Sequence, residues 1–61
     1  MTIKNFIKRI EKRLGKVEYL DAVGVLELYA NGKRISIPTT WIADSEFVKH
    51  VESITVRYLT A

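Results

Sequence analysis

The 61-residue chain has no cysteine and a single histidine, His50. Without cysteine there is no disulfide framework and no thiolate metal site, and one imidazole is a poor start for a protein metal centre. Only one proline and three glycines are present, and each isolated glycine has a turn or a cap to explain it, so nothing resembles a phosphate-cradling loop. No apolar run approaches the roughly 18 residues of a membrane span, and no signal-peptide core follows the lysine-containing start. Nothing calls for a cofactor. The expectation is one small cytoplasmic domain over residues 1–61. A chain this short buries only about 60% of its unfolded surface, so its stability is marginal.

Among the residues that are present, Val25 to Pro38 is the most telling stretch, two alternating runs joined by Asn31-Gly32. Asn-Gly suits a two-residue type I′ turn, which needs positive φ at both central positions. The register follows: Leu26 faces Ile37 and Leu28 faces Ile35 on one side, while Glu27, Tyr29, Arg34 and Ser36 take the other. Val17 to Leu20, bounded by Asp21-Ala22-Val23-Gly24 as a type I turn, pairs back to make a three-stranded meander. Pro38, which has no N–H for a ladder, ends the third strand.

Ile3, Phe6, Ile7, Ile10 and Leu14 recur at helical spacing within an arc of roughly 100°, with Thr2 as N-cap and Gly15 as the terminating residue. In the tail, Phe47, Val51, Ile54 and Tyr58, flanked by Val48 and Leu59, follow the same period. Asp44 or Ser45 is the N-cap there and Glu46 lies in the first turn. Ile54 to Tyr58 also has strand propensity, and Val56 would point to water on a helix, but the helical pattern is the longer one. The expected fold is therefore α+β: αβββα, with both helices on one face of an antiparallel meander. Ile3, Phe6, Ile10, Phe47, Val51 and Ile54 cover that face, and Trp41 belongs either to the core or to a partner surface.

This order and several strings resemble the HicA-type toxins. Phe6 to Gly15 looks like that family's first helix with its terminal glycine, and Asn31 to Pro38 is similar to its turn, third strand and closing proline. Gly24-Val25-Leu26 stands where the family has Gly-Ser-His. The resemblance implies a double-stranded-RNA-binding-like fold and an mRNA-cleaving activity whose catalytic histidine would fall at Leu26. Leucine has no lone pair to take a proton from a 2′-hydroxyl, so the expectation here is a protein that is not a ribonuclease.

Net charge is only +3, but residues 1–16 carry Lys4, Lys8, Arg9, Lys12, Arg13 and Lys16 against Glu11 alone, and the other residues sum to −2. Lys4, Lys8, Lys12 and Lys16 form an i,i+4 column of like charge, with Arg9 and Arg13 beside it. Each such pair costs roughly 0.2–0.5 kcal/mol on a helix, and Glu11 near Lys8 is the evident local relief. A marginal domain that keeps this repulsion suggests an anionic partner, and these six cations are candidate phosphate contacts for RNA or DNA bound without sequence preference. The competing reading is a solvated helix face, screened by salt. A second candidate surface is the open sheet face around Val25, Tyr29 and Arg34, suited to a homodimer or a small protein partner. His50 has Glu46 four residues before it, a spacing common on solvated helices, and it reads as a surface residue.

Overall fold

The computed structural model describes residues 1–61 as a helix, a three-stranded sheet and two further helices. Helix α1, Ile3–Leu14, buries Phe6, Ile7 and Ile10. Its start is fixed by Thr2, whose hydroxyl accepts the Asn5 N–H at 3.1 Å. Its end is fixed by Gly15 at φ +84°, whose N–H donates to the Glu11 carbonyl at 2.7 Å. A side chain at that φ would be strained, so the helix ends at Leu14 and does not reach Lys16.

Strands β1 (Glu18–Ala22), β2 (Val25–Ala30) and β3 (Lys33–Pro38) form an antiparallel meander in sequence order. Asn31 and Gly32 have φ of +54° and +74°, the two positive values a type I′ turn demands. Leu26 pairs with Ile37 and Leu28 with Ile35, as the alternation predicts. The first turn differs from expectation. Ala22 pairs with Val25, leaving Val23 and Gly24 as the loop, and only Gly24 has positive φ, the pattern of a type II turn. The strand accordingly runs two residues further than the aspartate suggested, and Asp21 lies within it.

A short helix α2, Thr39–Ala43, follows Pro38 and buries Ile42 completely. Five residues are too few for a period to be read from sequence, which is why it went unforeseen. Helix α3, Phe47–Thr60, then crosses back over the sheet. Asp44 supplies its start, since one carboxylate oxygen accepts the N–H groups of Glu46 and Phe47, each at 3.0 Å. Those two bonds, Phe47's first, hold the Asp44 carboxyl below its ordinary range.

All three helices share one sheet face, and the core joins Phe6, Ile10, Leu26, Leu28, Ile37, Ile42, Val51 and Leu59. The buried stripe of α3 is not the expected one. Val48, Val51, Glu52, Thr55 and Leu59 point inward and Val56 packs against the core, while Phe47, Ile54 and Tyr58 are each about two-fifths exposed or more. The helix is rolled so that its inner face meets α1 as well as the sheet. Trp41, 47% exposed, also lies outside the core. No helix is long and apolar enough to cross a membrane.

Candidate nucleic-acid interface

The polar side of α1 carries Lys4, Lys8 and Lys12 in one exposed row, spaced one turn apart. Lys16 does not continue it. Lying past the Gly15 break, Lys16 instead shares an open groove with Glu18, Tyr29, Lys33 and Arg34 beside the β2–β3 turn. The sequence column of four is thus a row of three and a separate cation on another face.

Arg9 and Arg13 take a course that composition alone does not reveal. Both reach across to Glu52 of α3: Arg9 Nε donates to Oε1 at 2.6 Å and Nη2 to Oε2 at 3.5 Å, while Arg13 Nη1 donates to Oε2 at 3.2 Å. The Glu52 side chain is 8% exposed, whereas both arginines remain about half exposed. The carboxylate therefore sits at the bottom of the contact and the guanidiniums on top of it. Arg9's hydrogen bond does most to hold the Glu52 carboxyl below its usual range; burial pushes the other way, and Arg13 adds to the lowering. Relief of the crowding between Arg9 and Arg13 thus comes from Glu52. Glu11, expected to relieve Lys8, instead accepts the Val17 backbone N–H at 3.3 Å and secures the link into β1.

Asn5, Lys8, Arg9, Lys12, Arg13 and Glu52 line an open groove of about 600 Å³. Its outer wall presents ammonium and guanidinium N–H donors on a rigid helix, a geometry that can neutralise phosphate oxygens and offers no base edge readers of fixed register.

The second predicted surface is less open. Val25 and Tyr29 are half-buried on the sheet face opposite the helices, Arg34 is exposed, and Leu20 of β1 is 54% exposed beside them. Tyr29 donates its hydroxyl to Glu27 on the same strand face, a bond that raises the phenol's pKa. That ties the most interface-prone side chain down locally.

Leu26 is fully buried in the core and touches no groove. His50 is exposed on α3 with its ring 5.7 Å from that of Phe47, and makes no hydrogen bond to Glu46 or any other carboxylate. No three His, Asp or Glu side chains converge to hold a metal ion. Phe47 and Ile54, expected to cover the sheet, and Trp41, expected either in the core or on a partner surface, lie together in a surface cluster, with Trp41 and Phe47 edge to face at 5.3 Å. Its signal was present: the seven apolar residues between Phe47 and Leu59 are more than one inward arc can bury. No family model matches the chain, and no curated protein or solved structure matches it.

Proposed function

We propose that this domain binds nucleic acid without sequence preference through α1, and that it does so without catalysis. The observation that carries the reading is the exposed row Lys4, Lys8 and Lys12 beside the half-exposed Arg9 and Arg13, five cations on a helix whose one carboxylate, Glu11, is bonded to the backbone, with Glu52 sunk beneath the two arginines. The repulsion between neighbouring lysines persists in a protein with little stability to spare, and phosphates relieve it. The strings that resemble HicA-type toxins make RNA the first ligand to test, with DNA beside it. The absence of a side-chain base at Leu26 supports binding over cleavage.

Fluorescence anisotropy of a labelled RNA duplex across a salt series tests this. With three or four phosphates neutralised, log affinity should fall against log salt with a slope of about −3, and Lys8→Ala or Lys12→Ala should each shallow it by about one. The same variants should lose affinity equally for unrelated sequences. Lys16→Ala should change the slope less, because Lys16 lies off the row. Failure of the intact protein to bind RNA or DNA at about 50 mM salt would make the row a solvated face. The protein-interaction reading would then lead, favoured by the exposed cluster of Trp41 on α2 with Phe47 and Ile54 on α3.

A further inference from the structure

We infer that β3 and the apolar shelf beside it form an interface with a second copy of this chain, two β3 strands pairing antiparallel about a two-fold axis at Ile35. β3 is an edge strand. Because the β2–β3 loop has two residues, Lys33, Ile35 and Ile37 are the positions that bond to β2, and Arg34 and Ser36 aim their N–H and C=O groups outward. Pro38, whose missing N–H would also face outward, closes the strand. These outward groups are self-complementary. Antiparallel pairing centred on Ile35 sets Arg34 of each copy against Ser36 of the other, which makes four backbone hydrogen bonds and leaves Pro38 opposite Gly32, where no bond is needed.

The helix side of this edge is unfinished in a way that matches. Leu26, Leu28 and Ile37 are closed off by the helices, but Ile35 is only half-buried and opens onto a groove of about 210 Å³ between β3 and α3, walled by Trp41, Phe47, His50 and Ile54. In the paired sheet the second copy's Ile35 enters on this same face, because cross-strand partners share a side. Trp41, Phe47, Ile54 and Tyr58 are 39–47% exposed. Together they offer roughly 350 Å² per copy, taking 150–250 Å² for a whole aromatic side chain. A stable dimer buries about 800 Å² per partner, which leaves the strand edge and the side chains of Arg34, Ser36 and His50 to supply the rest. The usual guards of an edge do not obstruct this register. Lys33 is folded back, its ammonium bonded to the Tyr58 and Ala61 carbonyls and 5.5 Å from the Tyr58 ring centre. The other edge, β1, has no such shelf: Tyr19 and Asp21 there face Lys4 and Lys8 of α1. Each copy carries +3, so salt should tighten the dimer by screening, the reverse of its effect on nucleic-acid binding.

Since the chain has no cysteine, an introduced one reports on itself alone. At the non-hydrogen-bonded Ile35 pair the Cα atoms would lie about 4.5 Å apart, inside the disulfide range of about 4.4–6.8 Å. Under mild oxidation of the full chain, Ile35→Cys should form covalent dimer at least roughly tenfold faster than Val23→Cys, placed at a fully exposed turn. Sedimentation velocity of the intact protein should show a monomer–dimer equilibrium that tightens with salt. Ser36→Pro deletes an outward N–H while sparing the bonds to β2, and with its circular dichroism unchanged it should weaken association about tenfold. If that variant misfolds, Ile54→Lys on the exposed shelf serves in its place. A protein that stays monomeric into the millimolar range overturns the inference. So does a dimer in which Ile35→Cys cross-links no faster than Val23→Cys.

Discussion

Helices α1 and α3 lie side by side on one sheet, yet they divide their residues in opposite ways. α1 has just enough apolar residues to fill its inward stripe, Ile3, Phe6, Ile7, Ile10 and Leu14, and everything else on it is polar. α3 has more apolar residues than its inward face can take and spends part of that face on Glu52 and Thr55, so Phe47, Ile54 and Tyr58 are left in water. Glu52 connects the two facts. By drawing Arg9 and Arg13 over itself it pins α1 to α3 and turns α3's stripe toward its neighbour. One side of the molecule is consequently cationic and the other apolar, and a 61-residue chain presents two distinct faces from one small core.

The strongest way to break this comparison is to remove what both helices stand on. Leu28, fully buried at the centre of the sheet, should cost about 2–5 kcal/mol when cut to alanine, most of the stability of so small a domain. A thermal midpoint within a degree or two of the parent's would place Leu28 outside the shared core.

Glu52→Gln sharpens the comparison instead, because it should move the two faces in opposite directions. Losing the carboxylate weakens the α1–α3 contact and lowers the thermal midpoint by several degrees, yet it frees Arg9 and Arg13, so RNA affinity should rise and its salt slope steepen. The same pairing sets a pH dependence. The folded carboxyl is held below its unfolded value, so its stabilisation is complete above the ordinary carboxylate range and is lost as pH falls through the folded value. Urea midpoints of the parent and Glu52→Gln should therefore differ near neutrality and converge in acid. A constant gap would locate the acid loss elsewhere.

The smallest effect belongs to Thr55, whose hydroxyl is buried on α3 without a hydrogen-bond partner. Thr55→Val removes that unpaired group at nearly constant shape, and stability should be unchanged or gain up to about 1 kcal/mol. A loss of that size would show that the hydroxyl has a partner after all.

Local rules made the hairpin and α1 legible in the sequence. Asn31-Gly32 fixes its own turn and with it the register, and Thr2 and Gly15 set the ends of a one-faced helix. The roll of α3 was not legible, because Phe47-Val51-Ile54-Tyr58 and Val48-Val51-Thr55-Leu59 are both helical stripes. The choice between them rests on contacts forty residues away in sequence, from Glu52 to Arg9 and Arg13. The cationic site was legible in composition but not in shape. Counting by fours carried Lys16 onto the helix, when the positive φ of Gly15 had already ended it. Trp41 hid for a related reason, since a five-residue helix exposes one side of its surface without leaving a period to read.

Backbone amide chemical-shift mapping of the intact protein, titrated with a short RNA duplex at low salt, tests the central claim most directly. The reading predicts RNA-induced shifts concentrated on Lys4 to Arg13 of α1 and on Glu52 beneath Arg9 and Arg13, shrinking as salt is raised, with Phe47, Ile54 and Tyr58 of α3 unmoved by RNA at any one salt concentration. Shifts confined to α3 and β3, or none at all, would contradict it.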